Sequence, residues 1–205
     1  MTAGDQSKTR IVQAELDVKR WRAQPPTVDE VRPGQCPACD VPSRPAGGTL
    51  GLHGHGLRER HQWGPAEAGG VALLVGSLLR RYRCLSCGAV VMVVPRGVLR
   101  RRLYSAGAIA LALALWGVAD LSAAPVRARV SPLRIVGATA SAGWASLRRW
   151  SRAVRAGRLF PVVRAPPADM TLREVAARAA TTLAAFAPGV GGLSIDSAAF
   201  LGASM

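Results

Sequence analysis

All four cysteines of this chain fall in two Cys-x-x-Cys pairs, CPAC at Cys36–Cys39 and CLSC at Cys84–Cys87, with 44 residues between them. No other feature limits the fold so strongly. A Cys-x-x-Cys turn presents two thiolates from one tight knuckle, and a tetrahedral metal ion needs four. Two distant knuckles must therefore meet. The gap exceeds the usual spacing of about 15–20 residues, so the intervening chain has to run out and come back. Residues 49–63 (TLGLHGHGLRERHQW) and 71–83 (VALLVGSLLRRYR) suit that task as two strands joined by GPAEAGG, and Val90–Val94 continue as a short strand up to Pro95. Gly88 lets the backbone turn beneath a metal.

One structural Zn2+ held by Cys36, Cys39, Cys84 and Cys87 is the expected cofactor. Binding of that kind supplies on the order of 10 kcal/mol of folding free energy, which a Gly/Pro-rich segment does not find in apolar burial. A thioredoxin-like dithiol or uninvolved thiols are the competing readings, but redox use requires a low-pKa cysteine at a helix start, and Cys84 follows a strand. His53, His55 and His61 lie on the expected hairpin, with His53 and His55 on one face. They offer a replacement ligand or a second metal site, yet with the cysteine set complete a solvent-facing or phosphate-contacting role is favoured.

The charge balance points to a partner. Across 205 residues there are 27 Lys+Arg against 12 Asp+Glu, a formal +15, and only Lys8 and Lys19 are lysines. Arginine pairs bidentately with phosphate oxygens and keeps its charge at neutral pH. Such an excess calls for a polyanion, either nucleic acid or an anionic membrane surface. The longest apolar run, residues 106–119, has 14 residues and closes at Asp120. A bilayer span takes about 20, so this run is expected as a buried helix and no membrane is expected as partner. The opening MTAGDQSKTRIVQ has no apolar segment, which leads to the expectation of a cytoplasmic, nucleoid-associated protein.

Elsewhere the pattern is mostly helical. Residues 8–22 carry Ile11, Ala14, Val18 and Trp21 at spacings of three and four, which predicts a helix ended by QPP. Ser105, Ser122 and Ser131 are candidate caps, the last opening a helix over 132–140. A proline-rich linker spans 160–169. Thr171 and Glu174 make a capping box for a helix with Leu172, Val175, Ala179, Leu183 and Phe186 on one stripe, and the tail from Pro188 is expected to be poorly ordered.

Residues 144–157 form the clearest amphipathic segment. At 100° per residue from Trp144, the side chains of Leu147, Trp150, Ser151 and Val154 fall between about 240° and 340°. Arg148, Arg152 and Arg155 fall between about 20° and 80°, with Arg149 near 140°. One side packs and the other presents four guanidinium groups. A solvated face is the bland reading, but the segment follows short capped helices, and helix-turn-helix modules place their last helix in the major groove. The helix over 132–140 competes for that role and has only Arg134 to offer. Arg80 and Arg81, and Arg100, Arg101 and Arg102, flank the second knuckle as phosphate-tracking contacts.

The order CPAC…LHGHG…RRYRCLSCGAVVMVVPRGVLRRRLYSAGAIALALALWG resembles the N-terminal region of bacterial insertion-sequence transposases and their stand-alone relatives, over roughly residues 33–157. In that family a zinc ribbon precedes a helix-turn-helix region. The resemblance implies that the four cysteines are zinc ligands and that the helix around Arg148–Arg155 reads transposon-end DNA. A transposase also needs a carboxylate triad. Beyond residue 120 this chain has only Asp169, Glu174 and Asp196, on a stretch too short for a catalytic core of about 100 residues.

These readings predict an α+β chain: an N-terminal helix and linker (1–32), a zinc ribbon with a β-hairpin (33–98), an all-α helix-turn-helix bundle (99–158), and a linker, C-terminal helix and flexible tail (159–205). The expected function is non-enzymatic, zinc-stabilised binding of double-stranded DNA, transposon-derived or transposition-associated, with a second copy or a transposase as protein partner. Transcriptional regulation, RNA binding and an adapter role are the alternatives.

Overall fold

The computed structural model describes residues 9–133, 143–189 and 191–204. It is a mixed α+β protein in two compact units, Met1–Arg60 with Gly76–Arg100 and His61–Val75 with Arg101–Met205.

The first unit contains most of a sheet of four strands, β1 (Arg10–Asp17), β2 (Leu52–Pro65), β3 (Ala72–Cys84) and β4 (Val90–Arg96), in the order β1-β4-β3-β2, the hairpin end of β2 and β3 belonging to the second. β4, VVMVVPR, has five consecutive buried residues, the mark of a strand covered on both faces. It pairs antiparallel with β3 (Arg81↔Met92) and parallel with β1 (Val12↔Val93). Trp21, Leu52, Leu79, Tyr82, Val91 and Val93 form the core of this unit. Its two large polar-tipped rings are satisfied: Trp21 Nε1 donates to the Leu78 carbonyl at 2.8 Å, and the Tyr82 hydroxyl to that of Val28 at 2.7 Å.

The helix expected over 8–22 is replaced by β1 and a short α1 (Val18–Ala23). Val12, Ala14 and Leu16 alternate with exposed Gln13 and Glu15, a period-two pattern that competes with the helical spacing. Asp17 then fixes the switch, because its carboxylate accepts from Lys19 N (2.8 Å) and Arg20 N (3.0 Å) and caps α1.

The second unit is built on α2 (Ala106–Gly117), in which Ala106–Leu115 are all buried. Helices apolar all round lie inside a bundle, and α2 packs against α3 (Ala123–Val130), α4 (Ala145–Arg155), α5 (Leu172–Ala184) and α6 (Ile195–Gly202). Among the described residues no helix is long and apolar enough to cross a membrane. Ser105 caps α2 by accepting from Ala108 N at 3.1 Å, and Thr171 and Glu174 close a reciprocal capping box on α5. Ser122 stands at the α3 N-cap without a side-chain bond. Ser131 ends α3, and the segment read as a helix over 132–140 lies mostly outside the described residues.

The tail expected to be loose from Pro188 instead forms α6, which packs on α2 and α5. Small residues permit this. A Cβ on Gly107 would come within 2.8 Å of the Phe200 ring, and one on Gly202 would run into the Leu183 carbonyl. The 160–169 segment is also less linker-like than expected, since Phe160 and Val163 are buried. An edge-to-face cluster of Trp63, Tyr104, Trp144 and Trp150, with centroids 4.9–5.7 Å apart, fixes α4.

A Cβ at Gly117 would meet the backbone of Ala176 and Ala177, whereas one at Gly69 would meet nothing within 4 Å. Gly117→Ala is therefore expected to lower stability by about 1–3 kcal/mol, and Gly69→Ala to stay within about 0.5 kcal/mol. Thermal unfolding monitored by circular dichroism checks both.

Candidate metal centre and basic surface

The two knuckles are copies of one another in backbone geometry. Cys36 N donates to Val41 O at 2.9 Å, and Asp40 N to Cys36 O at 2.8 Å. Cys84 N donates to Ala89 O at 2.9 Å, and Gly88 N to Cys84 O at 3.0 Å. The fifth residue of each knuckle, counted from its first cysteine, is left-handed, with φ of 57° at Asp40 and 70° at Gly88. Glycine takes this conformation freely and aspartate is one of the few residues that tolerates it, so the first knuckle's Asp40 stands where the second has Gly88.

The first cysteine of each knuckle also receives the same pair of backbone N–H groups, from Ala38 and Cys39 on Cys36 and from Ser86 and Cys87 on Cys84. These donors favour thiolates. The hairpin closes the 44-residue gap between the pairs as its strands predict. Leu85 N donates to Gly51 O at 3.0 Å, tying the second knuckle to the start of β2.

Together the four Sγ atoms lie within 4.8 Å of one another. Cys36 and Cys87 are 3.8 Å apart and Cys39 and Cys84 3.7 Å, both between knuckles. A disulfide needs about 2.05 Å, and none of the four cysteines is in one. A metal with sulfur ligands at about 2.3 Å in a tetrahedron puts its sulfurs about 3.8 Å apart. The donor set fits one such ion, with every position filled by protein, so the ion would hold the knuckles together and leave no site for substrate.

Cys84, Cys39 and Cys36 ionise differently. Burial resists ionisation of Cys84, but the Cys87 and Ser86 N–H groups and neighbouring thiols bring it down to about 7. At Cys39 the Val41 N–H favours the thiolate, yet burial and the three surrounding thiols push it up to about 12. Burial raises Cys36 as well. No other group of three or more His, Cys, Asp or Glu side chains among the described residues is placed to hold a metal. His53 and His55 are exposed, and His53 Nε2 lies 3.0 Å from the Leu50 carbonyl oxygen.

The arginines singled out in the sequence separate into two kinds. Arg148, Arg149 and Arg152 are exposed on α4, whose other face buries Leu147, Trp150, Ser151, Ala153 and Val154. Among the described residues none of the three is in an ion pair. Arg100 and Arg101 are exposed and Arg102 is half-buried. Arg155, by contrast, donates to the Met170 carbonyl and ties α4 to the segment before α5. Arg80 donates to the Pro26 carbonyl at 2.7 Å, and Arg81 is half-buried with its Nε enclosed. Arg83 is the exposed member of that cluster. Arg134 lies outside the described residues. Internal clamping by arginine was missed because sequence spacing shows which face a guanidinium leaves from, not which carbonyl it reaches.

No protein-family model, curated protein or solved structure matches the chain.

Two outcomes follow from the centre. Cys36 and Cys39, both raised, are protonated near pH 7, so a metal entering the site displaces at least two protons. Each displaced proton lowers apparent affinity about tenfold per pH unit of acidification, and competition with a chromophoric chelator between pH 8 and pH 6 reads that slope. Separately, Gly88→Ala, left-handed but uncrowded, is expected to cost about 1 kcal/mol, and Asp40→Gly to cost nothing or to stabilise, as read by thermal unfolding of the metal-loaded chain.

Proposed function

We propose that this chain is a non-enzymatic protein that binds double-stranded DNA, built on a zinc ribbon whose single Zn2+ is held by Cys36, Cys39, Cys84 and Cys87. The observation that carries the reading is α4. Its apolar side is locked in the bundle while Arg148, Arg149 and Arg152 face solvent without acidic partners among the described residues. On a chain of formal charge +15, three rigidly presented guanidinium groups suit phosphates and guanine edges. Four thiolates and one Zn2+ change the charge by −4 + 2, which leaves about +13.

In this reading α4 is the DNA-facing helix of the bundle. Residues 131–144 separate it from α3, well beyond the 3–4-residue turn of a tight helix-turn-helix. α4 therefore does not form such a pair with α3. Arg83, Arg100 and Arg101 add phosphate contacts. A link to transposition rests on the motif resemblance in the ribbon and in RRLYSAGAIALALAL.

Fluorescence anisotropy with a labelled duplex tests the reading. Affinity is expected to fall steeply between 50 and 200 mM salt. Arg148→Ala and Arg152→Ala should each weaken binding and reduce the salt slope by about 1, while Arg155→Ala mainly lowers thermal stability. Binding that ignores salt, or a single-stranded RNA that outcompetes the duplex, overturns it. Metal analysis of the purified chain separates zinc, colourless, from iron, which also accepts four thiolates.

A further inference from the structure

The free edge of β3 is left open in a way that proteins ordinarily avoid. β4 pairs with β3 only at Arg80–Arg83, and α1 reaches β3 at Ser77 and Leu78, through Arg22 Nε to Ser77 Oγ at 2.9 Å and Trp21 Nε1 to Leu78 O. Toward the hairpin turn, β3 has β2 on one side and, among the described residues, no strand on the other. This stretch is apolar and uncovered: Val71 is 77% exposed, Leu73 53% and Leu74 55%. Leu73 and Leu74 are consecutive, so they stand on opposite faces of the strand, each about half exposed, while Ala72 beside them is buried.

Sheet edges are normally protected by charge, proline or a covering element. Between Glu67 and Arg80 there is no charged residue and no proline. In a chain of +15 most surfaces repel a second copy, and a neutral strand is where two copies can approach without that penalty. The composition of the stretch also suits its own image. Val, Ala and Leu side chains pack on one another across a two-fold axis with no buried charge left unpaired.

We propose that the hairpin end of β3, Val71–Val75, is a self-association surface that pairs edge to edge with the same strand of a second copy. Backbone N–H and C=O groups along the open edge complete an antiparallel ladder centred on Leu73, which meets its symmetry mate on one face, while on the other Leu74 lies opposite Ala72 and diagonal to Leu74 of the second copy. The inference does not rest on DNA binding. A dimer formed this way would present two α4 surfaces, the arrangement that two-fold DNA sites require.

Sedimentation velocity of the metal-loaded full chain, without DNA and at 0.5 M NaCl to screen charge, tests it. The wild type is expected at twice the 21.5 kDa chain mass. Leu73→Lys and Leu74→Lys are each expected to raise the dimer dissociation constant at least tenfold, with unchanged far-ultraviolet circular dichroism and bound metal. Should either lysine variant fail to fold, Leu74→Thr, a residue suited to strands, replaces it with the same expectation. A wild type that stays monomeric at 100 μM, or a dimer that the folded variants leave intact, overturns the proposal, and loss of DNA binding alone has no bearing on it.

Discussion

Four sulfurs gathered within 4.8 Å cannot all be negative unless a cation sits among them, since like charges at that range suppress one another's ionisation. The first unit is built around this constraint. Its backbone supplies geometry through two knuckles with the same hydrogen bonds and a left-handed residue at the same position. A metal ion held among the four sulfurs would supply the missing charge. Cys36 and Cys84 themselves belong to the buried cluster of Trp21, Leu52, Tyr82 and the β4 valines, with Cys87 packed against it.

The arginine excess is divided between architecture and surface. Arg32 reaches the Leu52 carbonyl at the start of β2 and stacks on Tyr82. Arg60 reaches Leu99, Arg80 reaches Pro26, and Arg155 reaches Met170. In each case one guanidinium donates to a main-chain carbonyl elsewhere in the chain. A planar, multi-donor head that keeps its charge does this better than lysine. Ion pairs absorb several acids as well, with Asp29 on Arg32 and Arg44, Glu15 on Arg96 and Asp120 on Arg173. Among the described residues Arg148, Arg149 and Arg152 share the exposed face of α4 with no ion pair.

Much of this was legible in the residues because the signals are local. The cysteine pairs demanded a hairpin, and β2, β3 and β4 lie close to the predicted spans. The apolar run around Ala106–Leu115 had no polar face to leave outside a bundle, and the α4 wheel separated its packed and basic sides as observed. Two errors share a cause. β1 carries alternation and helical spacing at once, and only its pairing with β4, some eighty residues away, decides between them. α6 is poor in large apolar side chains, and its stability comes from close approach to α2 and α5 at Gly107 and Gly202, which composition reads as looseness. Arg80 and Arg155 looked like ligand-facing charges because their carbonyl partners lie elsewhere in the chain.

The distance between the knuckles has a consequence for synthesis. Cys39 leaves the ribosome well before Cys84, and at about 5–20 residues per second the first pair of thiols waits seconds for its complement. β1 waits longer, because its neighbour in the sheet is the last strand to appear. The nascent chain thus exposes an adhesive strand and a half-built chelate together. Early capture of the ion by CPAC alone would leave two coordination positions open to any passing thiol.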